Sequence, residues 1–140
     1  MRVLMISTDN LAFGETNDTR LRFESYAKAI GEVHFIVVSR EHRETIQIEG
    51  GSAIVCASGK LRVWGLLRAY MIGSRMKGVD VVSAQDPFEH GFIGWLIARR
   101  LKAGLHIQVH TDIGSPYFTE NSKNKIRVYI ARFLLPRADA

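Results

Sequence analysis

In the stretch Leu105 to Phe118, LHIQVHTDIGSPYF, an apolar run ends in His110, Thr111 and Asp112 and then breaks at Gly114 and Pro116. Histidine is the side chain whose charge changes closest to neutral pH, so an imidazole here could donate a hydrogen bond, shuttle a proton or line a sugar pocket. A lone histidine at a strand end is also a common structural cap. Its Thr111 and Asp112 neighbours and the Gly–Pro break favour a site, because loops past strand ends carry binding and catalytic groups out of proportion to their length.

The same change occurs upstream, where VDVVSAQDPFEHG turns polar at Gln85 and Asp86 ahead of Pro87. Asp86 either faces a ligand or caps the helix that starts near Phe88, and Glu89 falls in that helix's first turn, where a carboxylate complements the dipole. His90, one turn into the helix, is a weaker candidate. His34, His42 and His106 read as strand or loop residues without partners. A third polar segment, Thr8 to Asn17, follows the first apolar run and contains Asn10, Gly14, Glu15 and Thr16. Gly14 either relieves a tight turn or lets backbone N–H groups approach a phosphate at the start of a helix, and Glu15 and Thr16 beside it become substrate-binding candidates.

The elements that must position these groups follow from hydropathy patterning. Val3 to Ile6, Val33 to Ser39, Ala53 to Ala57, Val79 to Ala84 and Leu105 to Val109 predict five short, nearly continuous apolar strands. Helices are expected from an N-cap at Asp18 or Thr19 to Gly31, from Leu61 to Met76, from Phe88 to Lys102 and from Ser122 to Leu135. The first buries Leu21, Phe23, Tyr26, Ala27 and Ile30. The second carries Trp64, Leu67, Tyr70 and Met71 near one face, with Gly65 and Gly73 marking close packing against a neighbour. The third turns Phe92, Trp95, Leu96 and Leu101 inward. Arg40 to Gly51 reads as a loop or hairpin edge. This alternation predicts a Rossmann-like, doubly wound parallel sheet in three α/β/α layers, with strand order 3-2-1-4-5. Asp9, Gly14, Asp86 and His110 then converge at the switch point between strands 1 and 4.

The 140 residues make one domain, 46% hydrophobic and 24% charged, with no internal repeat or linker. The single cysteine, Cys56, sits in an apolar run as a buried thiol and fits a reducing cytoplasm. No signal-peptide core and no run of the ~18 apolar residues that a membrane span requires is present. The net charge is +5, and Lys60, Arg62, Arg68, Arg75 and Lys77 occur with no acid between Ala57 and Val79. A second basic run holds Lys123, Lys125, Arg127, Arg132 and Arg137. These charges face either solvent or an anionic partner such as a phosphate or a lipid surface. Nucleic acid is not expected, since zinc-ligand spacing, an RNP-like strand and a helix-turn-helix pattern are all missing. The sequence also lacks GxGxxG, GxxxxGK[ST] and GxSxG, and it has no metal-ligand spacing, so neither a dinucleotide cofactor nor a metal is proposed.

Taken together, MRVLMISTD, the Gly14 loop leading to TRLRFESYAKAI, VHFIVVS, VDVVSAQDPFEHGFIGWLIARRLKAGLHIQVHTD and the helix ending in PRADA resemble the N-terminal half of a retaining family 4 glycosyltransferase with the GT-B fold. The resemblance covers essentially the whole chain. It is strongest in DVVSAQDPFEHG and LHIQVHTD, and no piece of it is by itself a catalytic signature. It implies sugar transfer from a nucleotide-sugar to a saccharide or lipid-linked acceptor, with retention and without a metal or other cofactor. His110 would then approach the donor sugar and the Gly14 loop the donor phosphate, with one glycine where a Gly-Gly pair is common in the family.

The resemblance also implies that the chain stops short of a donor-binding C-terminal domain, supplied as further sequence or as a partner subunit, and is inactive alone. A cytoplasmic place, peripheral at the inner membrane face through the basic helix, accompanies that expectation. The competing expectation is a non-catalytic ligand-binding or regulatory module on the same sheet.

Overall fold

Alternation along the first strand divides the core in two. A computed structural model describes residues 1–14 and 17–140. In it β1 (Arg2–Ser7) sends Leu4 and Ile6 to one face of a sheet and Val3 and Met5 to the other, all four at most 5% exposed. Burial on both faces is what a central parallel strand requires, and it explains the near-continuous apolar run in the sequence. Around β1 lie β2 (Glu32–Ser39), β4 (Ala53–Ser58), β5 (Val81–Ala84) and β6 (Gly104–Ile107), with a two-residue β3 (Ile46–Gln47) at the margin. The order is β3-β4-β2-β1-β5-β6, parallel throughout except for β3 against β4.

The chain is therefore an α/β protein with a Rossmann-like sheet, and its five parallel strands keep the expected 3-2-1-4-5 order. The hairpin edge at Arg40–Gly51 is the antiparallel β3. Two strands are shorter than the apolar runs suggested: β5 begins at Val81 and β6 ends at Ile107, although the ladder continues through the Gln108 N–H donating to the Ala84 carbonyl at 2.9 Å. Past the last helix, the Asp139 N–H donates to the Leu105 carbonyl and the Ile107 N–H to the Ala140 carbonyl, along the outer edge of β6.

Helix α1 (Asp18–Ile30) packs on one face through Phe23 and Ala27, and its Phe23 ring stacks on Phe35 of β2 at 4.0 Å between centroids. Asn17 caps it by accepting from the Arg20 N–H at 2.8 Å, in place of the expected Asp18 or Thr19, because the Thr19 hydroxyl is turned inward to Asp9. Gly31, at φ 109°, ends it as expected. Leu21 and Tyr26 do not join the core as the periodicity suggested; Leu21 is 58% exposed.

Helices α2 (Arg62–Gly73) and α3 (Glu89–Leu101) cover the other face, and α4 (Ser122–Leu134) packs on α3. The buried face of α2 is Gly65, Ala69 and Gly73. A Cβ on Gly65 would lie 2.9 Å from Val38 Cγ1, and one on Gly73 2.7 Å from Ile97 Cδ1, which is the close packing the two glycines signalled. The consequence is that Leu61, Val63, Trp64, Leu67 and Met71 are left exposed. Phe92 of α3 is likewise half-exposed, its ring tilted at 37° against Trp95 rather than inserted in the core. Cys56 is buried. Among the described residues, no helix is long and apolar enough to cross a membrane.

Candidate functional site

The carboxyl ends of β1, β5 and β6 are tied together by side chains. At the end of β1 the Ser7 hydroxyl, 1% exposed, donates to Gln85 Oε1 at 2.8 Å, and its oxygen accepts from the Asp9 N–H at 3.0 Å. Asp9 caps the 3₁₀ turn Asn10–Phe13 through the Leu11 N–H. Its other oxygen accepts from the Thr19 hydroxyl at 2.8 Å and from Arg22 at 3.1 Å. Asp9 thereby locks the β1 loop to α1. A crevice of about 380 Å³ opens between these ends, lined by Thr8, Arg22, Tyr26, Gln85, Asp86, Gln108 and His110. It lies where the order of parallel strands reverses direction, between β1 and β5, which is where sheets of this type bind ligands.

His110 reaches the crevice three residues beyond β6. Residues 106, 108 and 110 alternate to one side, as in a strand, and their side chains form one hydrogen-bonded chain. Gln108 Nε2 donates to Ser83 Oγ at 3.5 Å, the Ser83 hydroxyl shares a hydrogen bond with His106 Nδ1 at 2.8 Å, and His110 Nε2 donates to Gln108 Oε1 at 3.0 Å. Because the Gln108 amide oxygen can only accept, His110 Nε2 carries a proton, and Nδ1 has no partner among the described residues. His106 is thus partnered, contrary to the sequence reading, and so is His34, whose Nε2 meets Glu32 Oε1 at 2.8 Å. The His106 partner lies across strands and is invisible in a linear sequence, whereas the His34 partner stands two residues away on β2 itself. The polar alternation His106-Gln108-His110 was the available signal for the chain that holds His110.

Asp86 occupies the same crevice and also builds the turn into α3. Its Oδ1 accepts from the Phe88 N–H at 2.8 Å and its Oδ2 pairs with His90 Nδ1, so the structural duty suspected from Pro87 is present. Burial disfavours the Asp86 carboxylate, but the His90 hydrogen bond and charge outweigh it, with help from the Phe88 N–H and Arg62, and its pKa lies below the usual carboxylate range. His90 itself is 1% exposed, and its Nε2 is buried with no hydrogen-bond partner among the described residues.

Glu89 stands outside the crevice lining. It forms a forked pair with Arg127 of α4, whose Nη2 donates to Oε1 at 3.0 Å and whose Nε lies 3.2 Å from each oxygen. Its pKa is also lowered: burial opposes ionisation, and the backbone N–H of its helix turn and Arg127 overcome it.

The remaining sequence candidates are spread along the rim. Gly14 follows the 3₁₀ turn with its N–H donating to the Leu11 carbonyl at 2.9 Å, at an ordinary φ of −73°, and it does not line the crevice. Glu15 and Thr16 lie outside the described residues. Thr111 is exposed, and Asp112 accepts from the Gly114 N–H at 3.0 Å to shape the turn after His110. Of the residues expected at the site, the fold therefore brings Asp86 and His110 together, adds Thr8, Arg22, Gln85 and Gln108, and gives Glu89 and Asp112 structural bonds. No group of three His, Cys, Asp or Glu side chains that could hold a metal ion occurs among the described residues. No known family model matches the chain, and no curated protein matches it.

Proposed function

We propose that this chain is the N-terminal, acceptor-side domain of a retaining glycosyltransferase of the GT-B type, competent for hexosyl transfer from a nucleotide-sugar when joined to a donor-binding C-terminal domain. The observation that carries this reading is His110 at the strand switch point. The Gln108 amide, itself bonded to Ser83, accepts from its Nε2, and its Nδ1 has no partner among the described residues, in an open polar crevice that Asp86 also lines. An imidazole so fixed can accept from a sugar hydroxyl without first reorganising, the kind of preorganisation that contact with a developing charge rewards. His110 faces the donor sugar in this reading, and the Gly14 loop faces the donor phosphate.

The exposed apolar side of α2, flanked by Lys60, Arg68 and Arg75, suits a peripheral contact with an anionic membrane surface on the cytoplasmic side. A saccharide or lipid-linked acceptor would approach from there.

A second reading, a non-catalytic ligand-binding module, draws on the carboxylates: both Asp86 oxygens and the Glu89 head are engaged in structural bonds. Ligand-observed NMR with a panel of nucleoside diphosphate sugars separates the two. Weak binding by the wild-type chain is expected, with the signal lost in His110→Ala and in Gly14→Val. Equal binding by both variants would remove this site and leave the binding-module reading.

A further inference from the structure

On the far side of the β1 end from His110, a second crevice of about 530 Å³ runs between the carboxyl ends of β1 and β2 and the start of α2. Its lining is rich in donors and poor in free acids. Arg40 follows β2 directly and Arg62 opens α2, and neither side chain makes an ion pair or hydrogen bond among the described residues. The one acid on its wall among the described residues, Glu41, is engaged by Arg43. Asp86 and Glu89 feel the charge of Arg62, but each is already satisfied, by His90 and by Arg127. Thr8 and Asn10 present side chains with no partner among the described residues, and the Ser39 oxygen accepts from the Glu41 N–H while its hydroxyl hydrogen remains to donate.

Two guanidinium groups with no ion pair of their own among the described residues, on one concave surface, attract an anion. Planar N–H forks and added hydroxyl donors match the several oxygens of a phosphate better than they match a neutral polar group. The crevice is far larger than a phosphate ion, so the phosphate it fits is one attached to a larger organic body. It also shares Thr8 with the His110 crevice, which puts the two sites on either side of one strand end.

We infer that the Arg40–Arg62 crevice binds the phosphate of a phosphomonoester acceptor, with Thr8, Asn10 and Ser39 as further donors. The assignment of this ligand as acceptor rests on the glycosyl-transfer reading above; the phosphate site itself rests on the crevice alone. The acceptor hydroxyl would then lie toward the shared Thr8 wall, facing the His110 side.

The test is calorimetric and NMR titration of the 140-residue chain with glycerol 3-phosphate and inorganic phosphate, with glycerol as the uncharged control. Glycerol 3-phosphate should bind and glycerol should not. Arg40→Gln and Arg62→Gln should each weaken binding about tenfold, as loss of one charge-assisted contact would. Arg62→Lys should fall between, because it keeps the charge and loses the fork. These side chains are on the surface, and unchanged thermal melting of the variants is read in the same samples. No phosphate binding by the wild-type chain, or equal binding by the double Arg→Gln variant, would overturn the inference.

Sedimentation with phosphatidylcholine vesicles containing phosphatidic acid identifies the source. Sedimentation lost in the two arginine variants assigns a lipid phosphate, and glycerol 3-phosphate binding without sedimentation assigns a soluble one; both sustain the site. Nucleotide-sugar binding sensitive to His110→Ala, with no phosphate binding, would sink the crevice inference and leave the glycosyl-transfer reading standing. The reverse pattern would sink that reading and leave the phosphate site.

Discussion

Phe23→Ala is expected to lower the free energy of unfolding by about 3–5 kcal/mol, the usual cost of emptying a fully buried aromatic site. Phe23 is completely buried and stacks on Phe35 at 4.0 Å with an interplanar angle of 10°, so the change removes both burial and an aromatic pair. This stack is the main apolar anchor of α1, and α1 carries the Thr19 and Arg22 groups that bind Asp9. The β1 loop should therefore loosen along with the helix. Urea unfolding followed by circular dichroism measures the loss. Leu21→Ala, two residues away on the exposed side, should stay within about 0.5 kcal/mol of wild type. A small loss at Phe23, or an equal loss at Leu21, would contradict the placement of the α1 core.

Asp86→Ala is the second large effect, at about 2–3 kcal/mol. The carboxylate is the acceptor for the Phe88 N–H and for His90, whose ring already has one buried nitrogen without a partner among the described residues; removing Asp86 takes the partner from the other nitrogen at 2% side-chain exposure. Asp86→Asn keeps one acceptor oxygen and should lose less. The effect also has a pH signature. Because the Asp86 pKa is lowered in the folded chain, the unfolded chain takes up the proton first as pH falls. Asp86 therefore stabilises the fold above the ordinary aspartate pKa of about 4, and that stabilisation disappears as the pH drops through the lower folded value. Glu89, also lowered, adds a loss of the same sign. The gap between wild type and Asp86→Ala, measured by urea midpoints from pH 7 downward, should thus narrow below about pH 4. A constant gap would mean that the carboxylate charge contributes nothing through His90.

The parallel sheet was legible because strands buried on both faces leave continuous apolar runs, and because crossover handedness restricts how such runs can be ordered. Where glycine and alanine form the buried stripe, hydropathy misleads. On α2 the Gly65-Ala69-Gly73 side is the packed one, and the conspicuous Trp64, Leu67 and Met71 are exposed. A two-residue strand such as β3 carries no periodicity to detect. At the site, the turn from apolar to polar residues located the strand ends carrying Asp86 and His110, since chemistry and strand termination coincide there. Who bonds to whom was not legible. Ser83 with His106 and Glu89 with Arg127 join residues by register or by helix docking, which local sequence does not encode.

The most direct test of the account is amide-resolved NMR of the isotopically labelled chain, titrated with the nucleoside diphosphate sugar that binds best in the panel. Shifts are expected at Ser7 to Asn10, Gln85 to Asp86 and Gln108 to Asp112, all suppressed in His110→Ala. Shifts confined to other surfaces, or none with any nucleotide-sugar, would contradict the placement of a glycosyl-transfer half-site at this strand switch point.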